Sequence, residues 1–315
     1  MDLSIVIVNW NTCDLVRDCL ASLPLACESL TWEVFVVDND SQDDSLAMIT
    51  KEFPAVNLIS AGSNCGFSRG NNLALPATKG DYVLLLNPDT VCPHLSLARL
   101  VAFAATKQAL GAVGPLLTTA EGTPTITYGY FPRPSFHWLG FIDPARKAPF
   151  ASWQKRVIEI PKREDTSHQV EYVMGACFLM PRAALENVGN LDETFFMYFE
   201  ETDWCRRAHD LGLENWYYAD SEVVHLEGQA SGTVSQFSLL QFQKSYRIYV
   251  AKHGSNAQMH AFRWAQFAEY GLKAFLRRLA PGDRQKNKAL AQTYWTRAKL
   301  QCRSQIDVTP PGSKS

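Results

Sequence analysis

Apolar and polar positions alternate along the first third of the chain in a way that predicts strand, helix, strand, helix. Leu3 to Val8 is an apolar run rich in Ile and Val, interrupted only by Ser4, the pattern of a strand buried on both faces. Cys13 to Leu23 has helical spacing, with Thr12 or Asn11 placed to cap it. Trp32 to Val37 is a second strand, and Ser41 is placed to cap a helix reaching about Phe53. Val56 to Ile59 is a short third strand, Asn71 to Lys79 a short helical stretch broken by Pro76, and Asp81 to Leu86 an apolar fourth strand. A helix opening near Pro93 and a fifth strand from Ala112 to Leu117 complete the series. Such an order predicts an α/β fold with a mostly parallel central sheet and helices on both faces.

The pattern then lapses. From about Thr118 to Ser167 the chain is rich in Pro, Gly and aromatic residues, the profile of a substrate-contacting lid. Order resumes in VEYVMGACFLMPR, two strand-like pieces around Gly175. A helix from Glu200 to Leu211 and a short strand from Glu222 to Leu226 follow. After Gly232 the spacing is helical, over about Phe237 to Lys252, Ala257 to Leu279 and Arg284 to Leu300. The expected division is residues 1–235 as a nucleotide-binding α/β domain and 236–315 as a helical extension.

Composition narrows the function classes. The chain has 315 residues, 46% of them hydrophobic and 20% charged, with a net charge of −2, which offers no general attraction to nucleic acid. The charge is unevenly placed. Ala257 to Ser315 carries 11 Lys and Arg against 3 Asp and Glu, so a basic tail follows an acidic body. The 8 cysteines form no C-x-x-C pair, which argues against a zinc or redox centre and for a reducing, cytoplasmic setting. The start, MDLSIVIVNWN, lacks the form of a signal peptide, and no apolar run is long enough to span a bilayer, so membrane contact is expected to be peripheral.

In open α/β sheets, ligands bind at the carboxyl ends of the strands. Three polar clusters stand there: Asn9-Trp10-Asn11, Asp38-Asn39-Asp40 and Asn87-Pro88-Asp89. Alone, the last fits either a strand-end turn or a carboxylate that holds a hard divalent cation. The segment FFMYFEETDWCRR gathers Glu200, Glu201 and Asp203 at a helix start. Alone, that fits either an acidic first turn favoured by the helix dipole or a general base beside a supporting carboxylate.

Read in order, IVIVNWN, VVDNDSQDDS, NCGFSRGNN, LLLNPDT, GACFLMPR, LDETFFMYFEETDWCRRAHDLG and His225 with HLEGQASG closely resemble the family 2 glycosyltransferases of the GT-A fold, in particular their bacterial rhamnosyltransferase-like branch. The likeness covers roughly residues 3 to 254. It implies an inverting glycosyltransferase that moves a sugar from a nucleotide-sugar donor. It assigns the donor to Val8, Trp10, Asp38, Asn64, Asn71, Asn87 and Asp89, with Arg69 as a further phosphate contact or a solvated surface residue. Asp89 is the implied ligand for Mg²⁺ or Mn²⁺, with His225 as a second contact. Asn87 stands where the family usually has an acid, a departure that removes one negative charge beside the metal. Glu201 occupies the catalytic base position, Glu200 is its neighbour and the alternative base, and Asp203 is a structural or acceptor-binding group.

The branch resemblance implies dTDP-rhamnose as donor and a cell-surface polysaccharide or lipid-linked oligosaccharide as acceptor, with a UDP-hexose donor as the alternative. A non-catalytic nucleotide- or sugar-binding protein is the alternative of another class. A dehydrogenase is disfavoured, because no G-x-G-x-x-G follows the first strand. The helix predicted over Ala257 to Leu279 mixes Phe262, Trp264, Phe267, Tyr270 and Phe275 with four basic residues. It fits either a helix lying on the inner face of an anionic membrane or one packed within the protein with a solvated basic face.

Overall fold

The computed structural model describes residues 1–132, 165–226 and 236–302. Its strands are β1 (Leu3–Asn9), β2 (Trp32–Asp38), β3 (Asn57–Ser60), β4 (Tyr82–Leu86), β5 (Thr90–Val91), β6 (Leu110–Thr118), β7 (Tyr128–Gly129), β8 (His168–Val170), β9 (Tyr172–Val173), β10 (Cys177–Pro181) and β11 (Glu214–His225). Its α-helices are α1 (Cys13–Ala26), α2 (Ser45–Glu52), α3 (Gly66–Ala74), α4 (Ser96–Ala105), α5 (Arg182–Val188), α6 (Glu200–Asp210), α7 (Gln236–His253), α8 (Asn256–Leu279) and α9 (Arg284–Cys302). The described residues fall into two units, one of 1–131 with 165–245, the other of 246–302 with Pro132.

The first unit is built on a mixed, mostly parallel sheet in the order β3-β2-β1-β4-β10-β6-β11-β5, with β8 on β11. Strands β3, β2, β1 and β4 are all parallel, and Ile7 lies between Val36 and Leu86 in register. β10 then runs antiparallel between β4 and β6. β11 lies parallel to β6 with two register shifts along its length.

The period-2 alternation of β1 divides the core. Leu3, Ile5 and Ile7 join Val16, Leu20 and Leu23 of α1 and Leu97 and Leu100 of α4 on one face. Val6 and Val8 join Ala74, Phe178 and Trp204 on the other. Helices therefore cover both faces, as an inward-facing parallel sheet requires.

Three details depart from the sequence reading. Ser41 does not cap α2: the cap position is Asp44, without a side-chain cap bond, and Asp43 Oδ1 accepts from Ser45 N at 3.1 Å, while Ser41 turns inward to the strand ends. The helix expected over Asn71 to Lys79 begins earlier, at Gly66, and gives way to a 3₁₀ turn over Leu75–Ala77, where Pro76 enters. The final strand runs the full length of Glu214–His225 rather than starting at Glu222. The loop proposed as a lid falls mostly at positions 133–164, outside the described residues, as does the Gly-Ser stretch after Leu226.

In the second unit, α8 and α9 pack along each other, and Tyr270 stacks on Tyr294 with centroids 6.5 Å apart. Tyr246 packs on Phe262. α8 opens on a full capping box: Gln258 N donates to Ser255 Oγ and Ser255 N to Gln258 Oε1.

Candidate functional site

β1 and β2 end side by side, and their last residues form one buried polar network. Asn9 Nδ2 donates to Asp38 Oδ1 and to Ser41 Oγ, each at 3.1 Å. Ser41 N donates to Asp38 Oδ2 at 3.0 Å. Asp38 is only 1% exposed, so both oxygens of its carboxylate are oriented within the protein before any ligand arrives. Trp10, one residue past β1, is half-buried, and Asn11 after it turns at a φ of 54°.

Asn39 carries this network to α3. Its Nδ2 donates to Gly66 O at 3.1 Å, and its Oδ1 accepts from Cys65 Sγ at 3.1 Å. Asn64 closes the turn by accepting from Gly66 N. Asn71 is fully buried; its Nδ2 donates to Phe67 O, and its Oδ1 has no partner. Arg69 is exposed. α3 lies so close to β1 that a Cβ at Gly70 would sit 2.9 Å from Val8 Cγ1, which explains the glycine there. Val8, Asp38, Asn64 and Asn71 thus gather where β1 and β2 meet α3.

A second cluster sits at the end of β4. The ladder between β5 and β11 pairs Thr90 with His225, and Leu226 N donates to Asp89 O. That backbone register brings His225 Nε2 to 3.2 Å from Asp89 Oδ1 and 3.4 Å from Asn87 Nδ2. A carboxylate, an imidazole and an amide that close together form a set of oxygen and nitrogen donors fitted to Mg²⁺ or Mn²⁺. Among the described residues no group of three or more His, Cys, Asp and Glu assembles. An ion held by one or two side chains and completed by substrate phosphates needs no such cage.

The third element is the start of α6. Tyr198 and Phe199 both adopt positive φ, 68° and 71°, which is strained for bulky side chains. α7 braces them: Phe242 packs on both rings, Ser245 Oγ donates to Met197 O at 2.7 Å, and Phe237 packs on Phe196. The braced turn delivers Glu200 and Glu201 into the interior, 5% and 9% exposed, and the Oε2 atom of each lacks a hydrogen-bond partner. Burial, together with the mutual repulsion of the pair, raises Glu200 well above the usual carboxylate range. Burial raises Glu201 as well, against the pull of nearby backbone N–H groups.

The backbone at Gly175–Ala176 links the second and third elements. Asn87 N donates to Ala176 O at 2.9 Å, and a Cβ at Gly175 would lie 3.7 Å from the Glu201 side chain. The Asn87–Asp89 turn and the glutamate pair therefore flank one short stretch of chain.

Asp203 shares the first turn of α6 with the two glutamates, and its charge adds to the rise of Glu200. It is fully buried and bonded to Arg207 at 2.9 Å, and Arg207 also donates to Val188 O and Asn190 O. These bonds tie α6 to the end of α5. Sequence reasoning missed the aromatic turn at 198–199, whose signal would have been its place just before an acidic helix start. It also missed the contact of Gly66 with Phe196, where Phe67 N donates to Phe196 O at 2.7 Å.

Comparison with known proteins identifies the family and the fold. The family described as Glycosyl transferase family 2 matches over residues 4–189. The N-acetylglucosaminyl-diphospho-decaprenol L-rhamnosyltransferase of Mycobacterium tuberculosis is 28% identical over 290 residues, 87% of this chain and 92% of that one. Rhamnosyltransferase WbbL of Escherichia coli is 25% identical over 232 residues, 70% of this chain and 82% of that one. The mannosyltransferase PcManGT of Pyrobaculum calidifontis, solved with GDP-Man and Mn²⁺, superposes with a TM-score of 0.57 at 16% identity, covering 95% of this chain and 84% of that one.

Proposed function

Because the chain belongs to glycosyl transferase family 2 and is a glycosyltransferase of GT-A-like fold, we propose that it transfers rhamnose from dTDP-rhamnose, with inversion, to a lipid-linked or cell-surface saccharide. The names of the two bacterial relatives support the sugar and the class of acceptor. The observation that carries the mechanism is the buried glutamate pair at the start of α6, set across Gly175–Ala176 from Asn87 and Asp89.

Ordinary glutamate is too weak a base for a sugar hydroxyl at neutral pH, and a base works best with a pKa near the working pH. Burial shifts Glu201 in that direction. In the proposed step the acceptor oxygen attacks the anomeric carbon, and the bond from that carbon to the donor's diphosphate oxygen breaks. The Glu201 carboxylate takes the proton of the attacking hydroxyl. Glu200 beside it keeps the pair from holding two full charges, because like charges that close suppress each other's ionisation. Asp38, held by Asn9 and Ser41, receives the nucleoside, with Trp10 beside the base and Val8, Asn64 and Asn71 around it. Asn87 bonds a ribose or sugar hydroxyl. Asp89 and His225 would hold Mg²⁺ or Mn²⁺, which when bound neutralises charge on the leaving diphosphate.

A lipid-carried acceptor places the enzyme at the inner face of the cell membrane, as a peripheral protein. Among the described residues no helix is long and apolar enough to cross a membrane.

The test is a donor panel that includes dTDP-rhamnose and UDP-hexoses, read as nucleoside-diphosphate release with membrane lipid extract as acceptor. It is run with Mg²⁺ or with chelator, on wild type and Glu201→Gln. The expected result is release from dTDP-rhamnose that disappears with chelator and with the variant. Release from a UDP-hexose instead overturns the sugar; release that survives Glu201→Gln overturns the base.

A further inference from the structure

Helix α8 is apolar on two opposite faces. Phe262, Gln266, Tyr270 and Ala274, spaced four apart, are buried and form the packed side. On the other side, counting from Leu272, Phe275, Leu276 and Leu279 fall at i+3, i+4 and i+7, with Trp264 two turns earlier on the same side. That stripe is exposed: Trp264 at 67%, Phe275 at 59% and Leu279 at 66%. Large apolar residues standing singly in water are ordinary, but five aligned along one helix mark an interaction surface.

The charge around the stripe identifies what it meets. Residues 246–302 hold 11 Lys and Arg and 2 Asp and Glu. Arg278 is exposed beside the stripe's last turn, whereas Arg277, three residues past Ala274, is exposed on the opposite side. On α9, Lys288, Trp295 and Lys299 recur at helical spacing and are all exposed. Trp295 borders the middle of the stripe, since a Cβ at Gly271 would lie 3.8 Å from its ring. Tryptophans over aliphatic side chains, ringed by arginine and lysine, match an interface of acyl chains beneath anionic headgroups.

We propose that the exposed stripe of α8, with the basic face of α9 beside it, seats the protein on a bilayer that contains anionic phospholipid. The helix lies in the plane of the interface, with Trp264, Phe275 and Leu279 entering the headgroup boundary and Arg278 beside them on the lipid phosphates. This deepens the reading of a lipid-carried acceptor and depends on it for its purpose. The binding itself requires neither donor nor acceptor.

The experiment is co-sedimentation of the full-length chain with sucrose-loaded vesicles, either pure phosphatidylcholine or phosphatidylcholine with 30 mol% (about one lipid in three) phosphatidylglycerol, without nucleotide or saccharide. Wild type is compared with Trp264→Ser/Phe275→Ser/Leu279→Ser and with Arg278→Gln, each checked for native circular dichroism. Wild type is expected to bind the anionic vesicles and to lose binding as salt is raised. Removing Arg278 should weaken binding about fivefold, and the apolar triple should abolish it. Failure of folded wild type to pellet with anionic vesicles overturns the proposal, as does equal binding by the folded triple variant. A concentration-dependent dimer that the triple variant loses, with no vesicle binding, assigns the stripe to a second copy instead. Vesicle binding without rhamnose transfer would leave this surface standing and remove the donor reading alone.

Discussion

Replacing Glu201 with Gln should make the protein more stable and nearly inactive, with both effects coming from one buried charge. The substitution keeps the side chain's shape and removes its ionisation. In the native protein Glu200 and Glu201 are 5% and 9% exposed, with an unpartnered oxygen on each. Both are therefore raised above the ordinary carboxylate value of 4.5. The folded state holds protons more tightly than the unfolded chain, so the pair favours folding at low pH. That contribution is complete below the unfolded value and is lost as pH rises through the folded one. Each unit of elevation corresponds to about 1.4 kcal/mol, so freeing the site of its charge should gain about 1–3 kcal/mol at pH 8. In a protein of this size that is roughly 1.5–5 °C in Tm. The gain should shrink steadily towards pH 5, where the wild-type pair is protonated as well. Loss of the base should lower kcat by about 10²–10⁴. Thermal unfolding of both proteins from pH 5 to pH 8.5, with turnover measured at each pH, reads both effects. A variant no more stable than wild type at pH 8, or a Tm gap that does not widen with pH, would refute the buried-charge argument. Unchanged kcat would refute the assignment of the base.

Three further outcomes follow from other parts of the site. Asp89→Asn should remove the enhancement of nucleoside-diphosphate binding by Mn²⁺, measured calorimetrically with and without chelator; binding that stays metal-dependent would move the ion elsewhere. Gly66→Ala places a Cβ 2.3 Å from Phe196 O at a φ of 85°, and should cost about 1–3 kcal/mol in urea unfolding while weakening donor binding. Asp203→Asn strands Arg207 in a half-buried position and should lower stability by about 2–4 kcal/mol, whereas either residue would be replaceable without loss if the pair were merely a surface contact.

What the sequence made legible was whatever depends on local pattern. β1, β2 and β4 are dominated by apolar residues because they are buried on both faces, and helix α8 of the second unit carries its own spacing. The antiparallel insertion of β10 between β4 and β6 had no local signature, because CFLMP reads the same in either direction. Ser41 looked like a helix cap because its position before α2 suits one; the buried needs of Asn9 and Asp38 drew it away. Asp203 stood in the sequence as a structural or acceptor-binding group, and its bond to Arg207, four residues on, supports the structural role. Nor did any residue in the sequence announce that Tyr198 and Phe199 would both take left-handed backbone, since contacts from the distant helix α7 help to hold that strain.

The place of β10 also has a consequence for how the protein is made. Strands β3, β2, β1 and β4 are complete once Leu86 has been synthesised, but the free edge of β4 is covered only when the chain from Cys177 to Pro181 emerges. At translation rates of 5–20 residues per second, that edge stands open for about 5–20 s on every nascent chain. An uncovered central strand of Leu and Val is a template for pairing with a neighbour. Chaperone capture during this interval, and aggregation of any fragment ending before Cys177, are therefore built into the order of the strands.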